Sequence, residues 1–361
     1  MLSKISFLIF CCITLISCNS QQKNTTDLSL KEEQLFKDIY EIGRLVADKP
    51  IWKGYQYHNT KQYLIHTTEG TPDRAFLINP DTIPKGAIVI PIKKTGGLKV
   101  YQYNTIMDSV FNHINNGNGS FDFFYKINQE DYFIMPFNDN DLSPNNELLE
   151  ISLHENFHIY QITQWTRNDK LNQNFKDFPI TKELLELQIL VTEVLKNLPK
   201  KLSKEESLDL LKQYVAIRTK EIEIDTTSVI EQHEFWQERI EGTAHYVEKM
   251  SFMNYFNLKD SKFQLDTRPP FIDIELYTRE DVKRAVSQRY LYDVGASIIW
   301  LLNELGVEIE KMEEGLSPYH LAFSYLNLSK EDMYFYFHKA KSTNNWGKVK
   351  EQAEKLNNIT E

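Results

Sequence analysis

The stretch Leu149-Glu150-Ile151-Ser152-Leu153-His154-Glu155-Asn156-Phe157-His158-Ile159-Tyr160 decides how this chain is read, because its apolar positions recur at helical and not strand spacing. Leu149, Leu153, Phe157 and Tyr160 follow one another at intervals of four, four and three, which makes one apolar stripe for a core to cover. Just upstream, Asp141-Leu142-Ser143-Pro144 offers Ser143 as N-cap and Pro144 as first helical residue. Nothing breaks the pattern before about Trp165. Ile151, His154, His158 and Gln161 form the adjoining stripe, so the two histidines stand beside buried surface.

Residues four apart share a helix face, so His154 and His158 can present two imidazoles to one metal ion. Glu155 sits beside the first, placed to take a proton from a water held there. Histidines and a glutamate at this spacing read as a catalytic zinc site. Such a site takes three protein ligands and leaves one position open. The third is expected from Arg239-Ile240-Glu241-Gly242-Thr243-Ala244-His245-Tyr246, in the helical segment after Ser228, with Glu241 the first choice. His233, Glu234, Glu238, His245 and Glu248 surround it, and His245 is the alternative ligand. If Glu241 binds, His245 one turn on can orient a ligand or meet the substrate, and Gln161 is placed to do the same. Gly242 and Ala244 are expected to let this helix approach the histidine helix closely. His58, His66, His113, His320 and His338 show no ligand spacing.

At this point the chain resembles the gluzincin metallopeptidases, zincins whose third ligand is a glutamate, and within them the aminopeptidase N and peptidase-MA-like group. The second motif of that group reads E-G-x-A, matched by Glu241-Gly242-Thr243-Ala244. The third reads Y-x-x-G at a helix start, matched by Tyr292-Asp293-Val294-Gly295. The resemblance implies that Glu241 binds zinc and that the Tyr292 hydroxyl stabilises an oxyanion, with Tyr290 as second choice. It spans residues 144 to 305 and lies in motifs alone. Two departures stand out: Glu241 lies 83 positions after His158 (241 − 158), farther than in the aminopeptidases, and no G-x-M-E-N element is present. Aminopeptidase specificity is therefore not inherited.

The amino terminus has Lys4 and then a mostly apolar run from Ile5 to Ile16, too short to span a membrane and long enough for a signal peptide. Leu15-Ile16-Ser17-Cys18 resembles the bacterial lipobox, which implies a signal over 1–17, lipidation at Cys18 and a polar tether over 18–30. Cys11 and Cys12 would leave with the signal, so disulfides and cysteine metal ligands are not expected. A net charge of −10 argues against nucleic acid. The expected partners are a peptide or protein substrate and a membrane reached through lipid, in the bacterial cell envelope.

Working outward, Lys31 to Asp48 reads as a helix. Short apolar runs then suggest strands at Tyr63–His66, Ala75–Ile78, Ala87–Ile92 and Val100–Tyr103, with turns at Thr95-Gly96-Gly97 and Asn116-Gly117-Asn118-Gly119. Phe121–Ile127 and Tyr132–Phe137 read as an aromatic hairpin; in zinc peptidases an edge strand beside the metal commonly pairs with the substrate backbone. Helices follow over Lys182–Leu198, Lys204–Ile224, Ser228–Phe256 and Asp281–Leu305, and from Ser317 onward. The expected class is α+β: a small antiparallel β-rich part over 31–143, then a mostly helical zincin-like part over 144–361 in which 182–226 is an insertion or lid. The function expected is a zinc-dependent metallohydrolase, a peptidase. The competing expectation is a catalytically silent lipoprotein of the same fold that binds peptide or glycan.

Overall fold

Ser29 opens the fold: its hydroxyl accepts from the backbone of Glu32, and the Glu32 carboxylate accepts from the backbone of Ser29, a reciprocal cap on helix α1 (Leu30–Asp48). The structure is a computed structural model that describes residues 28–48, 50–83, 85–103, 124–127, 129–142, 147–172, 176–196, 198, 202–255 and 278–359. The expectations for the signal peptide, Cys18, His113, the Asn116–Gly119 turn, Ser143 and Pro144 lie outside the described residues, as does most of the tether.

Six strands follow α1: β1 (Gln62–Thr68), β2 (Thr71–Ile78), β3 (Ile88–Val89), β4 (Val100–Tyr103), β5 (Phe124–Ile127) and β6 (Glu130–Phe137). They form one sheet in the order β3-β4-β2-β1-β6-β5. The fold class is α+β, as the sequence indicates. Pairings are antiparallel except between β1 and β6, which run parallel. The expected strand over Ala87–Ile92 narrows to two residues, because Pro91 has no N–H for a ladder and the chain turns into a 3-10 helix at Ile92. Alternation sends Leu64, Phe76, Phe133 and Phe137 into the main core, while Tyr63, Ile65, Leu77 and Ile134 form a second cluster on the other face.

Helix α2 (Glu147–Gln164) carries the histidine pair and lies against β6. Its apolar stripe is buried as expected at Leu149, Leu153 and Phe157. Polar contacts fix it along its length: Tyr57 and Ser152 hydroxyls lie 2.8 Å apart, and Ser152 donates to Gln62 on β1 at 3.1 Å. Helices α3 (Lys182–Leu195), α4 (Lys204–Ile224), α5 (Phe235–Tyr255), α6 (Arg279–Arg284), α7 (Tyr290–Glu304), α8 (Pro318–Leu326), α9 (Lys330–Thr343) and α10 (Trp346–Asn357) complete the described residues. No helix among them is long and apolar enough to cross a membrane.

Two findings bear on the expected organisation. Within 182–226, Leu185, Leu190, Tyr214 and Val215 are fully buried members of the main core. Gly242 of α5 also meets a different neighbour from the one expected. A Cβ there would lie 2.7 Å from the Gly295 Cα, so the close approach is to α7. Glycines on both helices let the backbones touch, and a methyl on either would force them apart.

Arg218 on α4 is fully buried among Glu221, Glu234 and Glu238. Tyr214 donates to Glu238 at 2.7 Å, Gln188 donates to Glu234 at 2.7 Å, and the Tyr290 hydroxyl lies 3.5 Å from Glu234. One guanidinium cannot neutralise three carboxylates away from water, so protons must supply the balance. Burial, offset in part by Arg218, pushes Glu238 up to about 7, and Glu221 and Glu234 are raised in the same direction. A folded pKa above the unfolded value means that this contribution to stability is complete below about pH 4.5 and is lost as pH rises through about 7. Glu238→Gln should therefore flatten the fall in stability between those limits by about 1 to 3 kcal/mol, measured by urea unfolding at several pH values. Parallel pH profiles for the two proteins would contradict it.

Candidate metal centre

Glu234, Glu238, Glu241, His245 and Glu248 follow one another at spacings of four, three, four and three, so an ionisable stripe runs along α5 and the turn before it. The face is buried, so each group needs a partner on a neighbouring helix. The first two use Arg218. The last three meet the histidines of α2.

Glu241 Oε2 lies 3.3 Å from His154 Nε2 and 3.2 Å from His158 Nε2, and the two Nε2 atoms are 3.1 Å apart. The structure thus brings His154, His158 and Glu241 together. Their outer contacts set the tautomers. His154 Nδ1 is 2.9 Å from Glu248 Oε2, and a carboxylate only accepts, so Nδ1 carries the proton. Gln161 spends its NH2 on the Ile240 carbonyl and the Thr243 hydroxyl, which leaves its Oε1 to accept from His158 Nδ1 at 2.6 Å. With Nδ1 so committed, each ring in its neutral form would turn its Nε2 lone pair toward the Glu241 oxygen.

Three acceptors at that separation repel one another unless a proton or a metal ion lies between them. A tetrahedral ion with bonds of about 2.0 to 2.1 Å has ligands about 3.3 Å apart, which the triangle of ligand atoms matches. Glu155 belongs to the same group: a ligand atom from each of His154, Glu155 and His158 lies within 4.8 Å of the others. In the metal-free protein a proton takes the place of the ion. Burial alone would lower the His154 pKa, but Glu241 and Glu248 more than reverse that and hold it at about 10. Burial would likewise raise Glu241, yet His158 and His154 carry it well below the usual carboxylate range.

Behind the triad runs a relay. His245 places Nδ1 3.1 Å from Glu248 and Nε2 2.9 Å from Asp293 on α7. Burial would lower its pKa, but Asp293 and Glu248 raise it to about 9, so it is a cation donating from both nitrogens. His245 is therefore tied to a ligand through Glu248, and the triad holds Glu241 in the position for which His245 was the alternative. Tyr292 stacks on His154, with ring centroids 5.7 Å apart and planes 8° apart. Burial, then Glu241, raises its pKa well above the ordinary value, so the phenol remains a donor. Tyr290 lies instead in the Arg218 cluster. His233 Nε2 donates instead to the Ser287 carbonyl, 2.7 Å away.

The triad lies between two cavities. One of about 480 Å³ is lined by Glu150, Glu155, His245, Glu248, Lys249 and Tyr292. The other, about 540 Å³, is reached by His158 and Glu241 and touched by Phe124 of the edge strand β5. Burial raises the Glu155 pKa, partly offset by the two histidines, which moves this carboxylate toward the range of a working base.

Sequence reasoning missed the work of Glu248 and Asp293. The signals were present: Glu248 lies two turns after Glu241 on the same face, and Asp293 follows Tyr292 inside the Y-x-x-G motif. Comparison with protein-family models, curated proteins and solved structures finds no match to this chain.

Two outcomes follow from the contacts of His154. Because an incoming ion displaces a proton whose pKa is about 10, apparent Zn2+ affinity should rise about tenfold per pH unit between about pH 6 and 9. Calorimetry in buffers of different ionisation enthalpy should detect about one proton released, and a pH-independent affinity would be contrary to this. Glu248→Ala should weaken Zn2+ binding about 10- to 100-fold by freeing the His154 ring, with a smaller loss for Glu248→Gln. Equal affinities in all three proteins would show that Glu248 does not position the ligand.

Proposed function

We propose that this protein is a zinc-dependent metallohydrolase that cleaves peptide bonds, related in its site to the gluzincins. The observation that carries the reading is the convergence of His154 Nε2, His158 Nε2 and Glu241 Oε2 within 3.1 to 3.3 Å, with Glu155 beside them. The donor set, two imidazoles and a carboxylate, suits zinc. A closed structural site has no use for a second carboxylate such as Glu155.

Zinc bound there supplies a Lewis acid that lowers the pKa of water and polarises a carbonyl. The chain's own residues do the rest. Glu155 accepts a proton at its raised-pKa carboxylate as water adds to the carbonyl carbon, and then gives it to the departing nitrogen. Tyr292, kept protonated by burial, offers its hydroxyl to the substrate oxygen as negative charge develops there. Glu248 and Gln161 hold the two imidazoles in the tautomer that leaves Nε2 free. Attachment to the cell envelope through Cys18 remains part of the proposal, carried by the lipobox resemblance.

Purified protein should retain about one zinc per chain and hydrolyse a denatured protein or peptide library. Glu155→Gln should lower the rate by about 10²- to 10⁴-fold with zinc content unchanged, and Tyr292→Phe by about 10²- to 10³-fold. A Glu155→Gln protein as active as the parent would remove the general-base assignment. Zinc-loaded protein that cleaves no peptide bond would sink the peptidase reading.

A further inference from the structure

We propose that the cavity on the His158 and Glu241 side is a specificity pocket for a large, uncharged apolar side chain of the substrate, a step that rests on the hydrolase reading above. The volume, about 540 Å³, falls in the range of ligand pockets and exceeds what one small side chain needs. Its walls are Phe124 from β5, Trp165 and Leu171 after α2, and Trp236 and Ile240 from α5. At the mouth stands Ile162, an apolar residue on the histidine helix left 71 % exposed. Exposed apolar surface beside a site that already holds catalytic groups favours a ligand that covers it.

Arg239, a buried cation in the lining, is anchored by the protein's own backbone. Its Nε donates to the Met312 carbonyl at 2.8 Å and its Nη2 to the Thr166 carbonyl at 2.8 Å. Its guanidinium lies 4.9 Å from the Trp165 ring centroid. The Trp165 face and the backbone oxygens that accept from Nε and Nη2 therefore hold this cation in the wall. Arg167, at the rim, is paired with Asp169 at 3.1 Å in open solvent. The opposite cavity has the contrary character, with Glu150, Glu155, Glu248 and Lys249 lining it. One side of the scissile bond thus meets apolar walls and the other meets charge.

Binding can be read without turnover, because Trp165 and Trp236 line the pocket and report its occupancy by fluorescence. Blocked tetrapeptides of alanine, with Phe, Glu or Lys walked through each position, should be titrated into zinc-loaded Glu155→Gln protein. The expected result is one position at which Phe binds about 10- to 100-fold tighter than Ala, with Glu and Lys no better than Ala. Trp236→Ala should reduce that preference at least about fivefold, and the exposed Ile162→Ser, which has no reason to misfold, should reduce it about two- to fourfold. Equal binding of Phe and Ala peptides, tightest binding of the Glu or Lys series, or no binding at all would overturn the pocket. Selective binding by a parent protein that cleaves nothing would fail the hydrolase reading and leave the pocket standing, whereas unselective cleavage would do the reverse.

Discussion

Everything in the helical part depends on one constraint: α5 and the turn before it carry a stripe of five ionisable side chains, of which Glu234, Glu238 and Glu248 are buried and Glu241 and His245 half-buried. Charges removed from water must be paired or protonated, and a stripe of this kind would expel the helix from any apolar core unless its neighbours answered it. α4 answers with Arg218, α2 with His154 and His158, and α7 with Asp293. The arrangement of these helices about α5 is therefore set by charge matching as much as by apolar packing. The glycine contact between Gly242 and Gly295 brings α7 close enough to take part.

Along that stripe the balance of charge changes. At one end three carboxylates share a guanidinium and need protons. At the other, two imidazoles and a carboxylate point lone pairs at a common centre and need a cation. The carboxylates Glu248 and Asp293 and the cation His245 continue outward from that centre, so the field at His154 is set by groups the ion never touches. Glu241 and Glu248 favour a proton on His154, so an ion entering there would have to displace it.

Much of the centre was legible in the sequence because its ligands come from local periodicity: His154 and His158 one turn apart, and Glu241 in a motif of fixed internal spacing. The helices were legible for the same reason, and α4 runs from Lys204 to Ile224 as its pattern indicates. What periodicity does not carry is which helix faces which. Gly242 meets α7 where its sequence suggests α2, and the distance of 182–226 from the motifs, which suggests an insertion or lid, says nothing of how deeply Leu185 or Tyr214 is buried. Glu248 and Asp293 escaped notice since a carboxylate that orients a histidine has no motif of its own. The parallel pairing of β1 and β6 was likewise out of reach, because strands distant in the chain can meet in either direction with the same alternation.

The central claim is that His154, His158 and Glu241 converge to hold one ion. Anomalous diffraction at the zinc absorption edge, from crystals of the zinc-loaded protein, tests it most directly. The expected result is a single strong peak about 2.0 to 2.1 Å from both Nε2 atoms and from a Glu241 oxygen. A zinc peak elsewhere, or none between these three side chains, would contradict the account.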